Sequence, residues 1–316
     1  VAKVNSVLGP LETSELGFTL GHEHVAVGSG GIQHVFPELF DRRAAIKQSV
    51  EQLRAAYKGG VQTIVDVTTH DLGRDIRLLR EVSRRSKVQI IACTGTWLDI
   101  PRAFRSSTPD TIASLYVREV QVGIEGSDIK AGVIKVATDT GVTPEGEIVL
   151  RAAARAHKRT GVPITTHTRA LDRVGEQQVR IFEEEGADPS KVCIGHSNNT
   201  LDKDYLLGLL RKGVWLGLDQ YPGGQMPGTP NWEERTVLLK GLIDAGYSHR
   251  LLLSHDHVAV SSMFSQQMQE ERRRLNPDGY LFITRRVLPR MKEMGIAEGT
   301  IRQITVENPR RFFEGR

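Results

Sequence analysis

Eight short apolar or β-branched runs alternate with longer stretches of helical spacing along 316 residues, and several ionisable residues sit at the ends of those runs. Together these observations predict an α/β chain folded as a (β/α)8 TIM barrel, with its active site at the carboxyl-terminal face of the strands. The length suits one such domain, residues 1–316, because the fold typically takes about 250 residues and the remainder is spare length for loops. No linker divides the chain, and 39% hydrophobic side chains are enough to bury one large core.

The first run, FTLGHEHV (18–25), is followed by AAIKQSVEQLRAAYKGG, whose apolar residues recur every three or four positions until a Gly pair stops the helix. TIVDVT (63–68), VQIIACTG (88–95) and GVIKVAT (132–138) supply the second to fourth strands. PEGEIVLRAAARAHKRTG then predicts a helix with acidic residues at its start and basic ones before its closing Gly, as the helix macrodipole favours. PITTHT (163–168), KVCIGHS (191–197), VWLGLDQ (214–220) and LLLSHDH (251–257) complete the eight. Continuous apolar strands of this kind imply a parallel sheet covered by helices. Long loops are expected at 26–40, 96–109, 221–232 and 258–276.

Composition narrows the function classes. Lys and Arg number 42 against 38 Asp and Glu, spread along the chain, so the mild basicity is no nucleic-acid footprint and clusters such as Arg272 to Arg274 are read as solvated helix faces. Two cysteines, Cys93 and Cys193, cannot build a disulfide scaffold, and each falls in an apolar run where a buried thiol is expected. No apolar run approaches the roughly 20 residues of a transmembrane helix. Localisation stays open between the cytoplasm and export, the latter if a signal segment was removed before Val1.

The chemistry is carried by the strand ends. His22 and His24 close the first strand, Lys135 sits in the fourth, His167 closes the fifth, His196 closes the sixth, and Asp256 follows the eighth. In a barrel these ends converge on one face, and residues i and i+2 of a strand point the same way, so His22 and His24 can ligate one ion together. His34, His70, His157 and His249, each isolated, are expected to be structural. Lys135 has two readings: an ion pair with Asp256 or Glu23, or a buried amine that loses its proton and reacts with carbon dioxide to give an anionic carbamate ligand.

HEH in the first strand, the Lys within GVIKVAT, TTHT, IGHS and SHD resemble the phosphotriesterase family of the amidohydrolase superfamily, which includes phosphotriesterase and the phosphotriesterase-like lactonases. The likeness runs the whole chain, from LGPLETSELGFTLGHEH through RAAARAHKRTGVPITTHT and GEQQ to ITVENPRRFF. It implies two divalent ions, zinc first, with cobalt, manganese or iron as alternatives. His22, His24 and Asp256 would hold the more buried ion and His167 and His196 the more exposed one, with N-carboxylated Lys135 and a hydroxide bridging the pair. The hydroxide would attack the substrate, with Asp256 taking its proton. A homodimer is also implied by the resemblance.

The substrate is expected to be a small neutral ester. Trp97, in TGTWLD after the third strand, the NPDG-containing segment after the eighth, and the segment through Trp232 resemble phosphotriesterase and favour organophosphate triesters. Gln220 and Asn199 depart from it, standing where a His and an Asp relay protons, and a lactonase acting on N-acyl homoserine or other lactones is the alternative. His257 is a candidate substitute base, although as the neighbour of Asp256 it can face away. Tyr221, Met226, Trp232, Met263 and Phe264 are expected either to line the pocket or to pack it shut. A metal-binding barrel without catalysis is the more distant reading.

Overall fold

In the computed structural model of the chain, which describes residues 2–224 and 226–316, nine parallel strands form one curled sheet. A hairpin of β1 (Lys3–Ser6) and β2 (Gly9–Glu12) precedes it. The sheet comprises β3 (Thr19–Val27), β4 (Thr63–Asp66), β5 (Gln89–Thr96), β6 (Val133–Thr138), β7 (Ile164–Thr168), β8 (Val192–Ile194), β9 (Trp215–Leu218), β10 (Leu251–Leu253) and β11 (Val258–Ser261). Its order, β10-β9-β8-β7-β6-β5-β4-β3-β11, is sequential except at the closing edge. There β11 follows β10 after four residues and pairs with β3 in the register Val258 to His24. The two pieces are one broken eighth strand that closes the barrel. Across the break the Asp256 N–H donates to the His22 carbonyl at 3.1 Å and the His24 N–H donates to the His257 carbonyl at 2.9 Å.

The alternation of side chains explains how the barrel fills. Ile91, Cys93, Val133, Cys193, Trp215 and Leu252 share one buried cluster inside it. Their chain neighbours Ile90, Ala92, Ile134, Ile194, Leu216 and Leu251 belong to the cluster between sheet and helices. The two-residue period therefore aims Lys135, two positions after Val133, into the barrel above the apolar floor. Both cysteines are buried free thiols of that floor. The amino-terminal hairpin also lies on it through Val4, and the carboxyl-terminal helix does so through Phe312, whose ring is 5.9 Å from that of Trp215.

Helices form where the spacing and caps predict them. The Pro144–Thr160 helix starts from the Thr143 hydroxyl, which accepts from Gly146 N–H, has Glu145 and Glu147 in its first turn and ends at Gly161 in the left-handed region. Features not expected from the sequence include the hairpin, β11 and, inside segments expected to be loop, short helices at Ile32–Val35 and Arg102–Arg105 and a longer one at Gln266–Leu275. The last begins at Ser265, which caps Met268 N–H, but its apolar face is too sparse for periodicity to declare it. Among the described residues no helix is long and apolar enough to cross a membrane.

Candidate metal centre

His22, His24, Lys135, His167, His196 and Asp256 meet at the carboxyl ends of the strands. Lys135 Nζ lies 2.8 Å from His22 Nε2. Asp256 Oδ1 is 3.5 Å from His22 Nε2 and 3.1 Å from His24 Nε2. His196 Nε2 faces His167 Nδ1 at 2.8 Å, and Asp256 Oδ2 is 4.0 Å from His196 Nε2. All are buried except His167 and Asp256, the latter with 23% of its side chain exposed.

The outward edges of these rings are held by the protein. Asp219 presents Oδ1 to His196 Nδ1 at 2.8 Å and Oδ2 to His22 Nδ1 at 3.0 Å, while His24 Nδ1 contacts the Thr68 hydroxyl at 2.8 Å. A proton on the Nδ1 facing Asp219 leaves the Nε2 lone pair turned inward, the orientation in which carboxylates support ligating histidines. His22, His24 and Asp256 then form a group of donors within 4.8 Å of one another, fit for a cation. His22, His196 and Asp219 meet the same distance criterion. Asp219, however, occupies the outer edges of both rings and acts there as their support. Imidazole and carboxylate donors suit zinc and its first-row neighbours.

Local backbone geometry serves this arrangement. His196 and Asp256 adopt φ of 56° and 53°, left-handed conformations uncommon for residues with a Cβ and often found where side-chain placement is functional. A Cβ on Gly217 would come within 2.5 Å of Asp219 Oδ2, so that glycine leaves room for the supporting carboxylate.

Burial sets the charge states. It pushes the Lys135 ammonium down to about 8 and, reinforced by the charge of Lys135, lowers His22 to about 4. Burial also holds His167 well below its ordinary value, with His196 adding to the effect. For Asp256 burial acts the other way, but the hydrogen bond with His24 and the charges of His196 and His22 outweigh it and keep the carboxylate ionised. The ion pair of Lys135 with Glu23 does not form: Glu23 Oε1 instead accepts from the Ser254 hydroxyl at 2.7 Å and the His255 N–H at 3.0 Å, and contacts the His255 ring nitrogen at 2.6 Å.

The remaining candidates separate. The Trp97 ring stands edge-on 5.7 Å from that of His167, at the rim of the centre. Gln220 Nε2 donates to Asp256 Oδ2 at 2.6 Å, and with His167, His196, Asn199 and Met226 it lines a cavity of about 40 Å³. Tyr221 is fully buried in the core, and Trp232 packs on Phe282 at 5.8 Å. His257 turns away from the metal ligands: its Nε2 is 2.9 Å from Gln52 Oε1, its ring packs on Tyr280, and burial lowers it to about 3. His70 contacts the Thr96 hydroxyl and His157 the Val162 carbonyl, while His34 and His249 are exposed. The functional residue that sequence reasoning passed over is Asp219. Its signal was present, since it is next to last in the seventh run, two positions after a glycine, on the inward parity.

Residues 2–313 match the phosphotriesterase family profile. The chain is 36% identical to an aryldialkylphosphatase of Saccharolobus solfataricus over 96% of each protein. It is also 36% identical to a phosphotriesterase homology protein of Mycobacterium tuberculosis, over 99% of this chain and 98% of that relative. An N-acetyltaurine hydrolase of Danio rerio is 28% identical over 98% of this chain and 97% of its own length.

Proposed function

The chain belongs to the phosphotriesterase family and is a metal-dependent hydrolase, and from that premise we propose that it cleaves neutral organophosphate triesters, aryl dialkyl phosphates in particular. The observation that carries the reading is the convergence of six side chains whose outer edges are fixed by Asp219 and Thr68, leaving donor atoms turned on a common space. His22, His24 and Asp256 would hold one divalent ion and His167 and His196 a second, zinc being the first choice, with Lys135 as a carbamate between them. The low proton affinity of buried Lys135 supports that modification: a neutral amine forms the N–C bond with carbon dioxide and releases one proton. Two such ions, when bound, acidify a water to a nucleophile at neutral pH and draw charge from a P=O or C=O oxygen.

The chain's own groups do the rest. Asp256 stays ionised beside the donors and takes the proton of the attacking water. Gln220 fixes Asp256 Oδ2 with an amide hydrogen bond and cannot carry the proton onward. Trp97 supplies an apolar wall next to His167, suited to an aryl leaving group. The relative named as an aryldialkylphosphatase supports the triester assignment.

Gln220 favours lactones as a second substrate class. An aryl oxide leaves without protonation, so each triester turnover must discharge Asp256 to solvent. A lactone expels an alkoxide that needs a proton, and Asp256 can return the one it took. Turnover of a chromogenic aryl dialkyl phosphate beside a long-chain acyl homoserine lactone, on one zinc-reconstituted preparation with Lys135→Ala as control, tests both. A higher kcat/KM for the triester is the expected result. A higher value for the lactone makes triester cleavage a side activity, and no turnover of either with metals bound overturns both substrate readings.

A further inference from the structure

A second cavity, about 320 Å³, lies behind the eighth strand between the Arg42–Lys58 and Gln266–Leu275 helices. It shares no lining residue with the small cavity at the metal centre. Its volume falls at the lower end of the range of small-molecule sites, roughly 300–1,000 Å³. Three arginines, Arg272, Arg273 and Arg285, line it against a single carboxylate, Asp278, and that carboxylate is already bound to Arg285 at 2.8 Å and to Arg286 at 3.1 Å. Of the other two, Arg273 is exposed and Arg272 is half-buried. Its guanidinium lies over the Phe264 ring at 4.7 Å, and among the described residues it has no carboxylate partner and donates no hydrogen bond. A half-buried guanidinium without a carboxylate partner is suited to receive an anion.

The rest of the lining sets the ligand class. Ala55, Val258, Ala259 and Leu281 give the cavity an apolar side. Asn276 is 7% exposed; its Nδ2 donates to the Gly279 carbonyl, while its buried Oδ1 has no donor. An acceptor left unsatisfied in a buried site calls for a ligand hydroxyl or N–H. We infer that this cavity binds a small hydroxycarboxylate, its carboxylate on Arg272, its hydroxyl donating to Asn276 and its carbon chain on the apolar side. The inference is independent of which ester the metal centre cleaves. Because His257 lines the cavity and directly follows Asp256, an occupant there touches the segment that carries a metal ligand.

The test is calorimetric titration of the zinc-reconstituted enzyme with 4-hydroxybutyrate, with butyrate and inorganic phosphate as comparison ligands. Saturable binding of 4-hydroxybutyrate at millimolar concentrations is expected, with butyrate several-fold weaker for lack of the donor. Arg272→Met should weaken binding at least about tenfold and Arg272→Lys should restore part of it, whereas Lys135→Ala should leave it intact. Absence of saturable binding, unchanged affinity in Arg272→Met, equal affinity for butyrate or phosphate, or loss of binding in Lys135→Ala, which would place the anion at the metal centre, each overturns the inference.

Discussion

Asp219 and His196 are joined twice: one carboxylate oxygen accepts the His196 backbone N–H at 2.7 Å and faces its ring Nδ1 at 2.8 Å. The other oxygen reaches His22 Nδ1 at 3.0 Å, so one buried carboxylate orients a histidine from each of two donor groups. Burial would raise Asp219, but its interactions with the His22 and His196 rings outweigh that and hold it well below the ordinary carboxylate range. Asp219→Asn keeps the volume but cannot accept from both rings with both oxygens. It should lower metal affinity or activity by about 10–100-fold, the usual effect of removing such a support. Competition with a metal chelator, read beside the thermal unfolding curve, checks it; unchanged metal affinity would reduce Asp219 to a packing residue.

Gln220 donates to Asp256 Oδ2 at 2.6 Å, and its amide does not titrate. Gln220→His installs a titrating acceptor at that position. The kcat for an aryl triester should rise by roughly tenfold, less than the 10²–10⁴ of an optimally placed proton carrier, and kcat for a lactone should stay level. Parallel kcat measurements on the two substrates decide it, because equal changes in both would remove proton export as the cause.

Much of this site is visible in the chain because donors close the strands. HEH, the Lys of GVIKVAT, TTHT, IGHS and SHD put donors at or near strand ends, and a closed barrel gathers those ends at one face. Parity alone does not aim them all: Cys193 points into the barrel and Ile194 away from it, so His196 reaches the centre through its left-handed φ. What the sequence hides is which neighbour a side chain meets. Glu23 sits between two candidate ligands on the opposite parity and turns out to His255 and Ser254. His257 likewise lies on the far side from Asp256, where Gln52 and Tyr280 receive it. Tyr221 follows Gln220 directly and is buried in the core; β9 has ended at Leu218, so strand alternation does not place either residue. The break of the eighth strand at Asp256 depends on a left-handed φ in a residue that is not glycine, and no local pattern announces that.

Acid stability should expose another buried pair. Arg74 donates to Glu119 through two nitrogens at 2.9 and 2.8 Å, and to the Cys93 carbonyl at 2.8 Å, tying the segment after β4 to β5 and the Pro109–Gln121 helix. Burial alone would raise the Glu119 carboxyl, but the charge and hydrogen bonds of Arg74 outweigh it and hold the group below its ordinary value. In the window between the folded and unfolded values the unfolded chain binds more protons, so this contribution is complete above the unfolded value and is lost as pH falls through the folded one. Glu119→Gln should cost about 3 kcal/mol at neutral pH by leaving a buried guanidinium underpaired, and should flatten the acid limb of stability against pH. Denaturant unfolding of both proteins from neutral to acidic pH reads the two effects; parallel acid limbs would show that other carboxylates control it.

Trp97 stands at the rim of the metal centre, its ring edge-on to that of His167. Its N–H is fixed by Asp71 Oδ1 at 3.0 Å, which also accepts from the Thr69 hydroxyl, so the backbone that carries the ring is anchored at the end of β5. The indole N–H of the ring does not titrate. A group that binds ground state and transition state alike changes KM and leaves kcat, whereas one engaged only in the transition state changes kcat. An apolar wall under an aryl group is of the first kind. Trp97→Ala should therefore raise KM for an aryl dialkyl phosphate by roughly tenfold, in line with the 1–3 kcal/mol that hydrophobic pocket contacts supply, with kcat changed little. A trialkyl phosphate, lacking the aryl group, should lose much less. If instead kcat falls equally for both triesters while KM holds, the ring's role is to steady His167, and the aryl preference must be sought elsewhere in the loops.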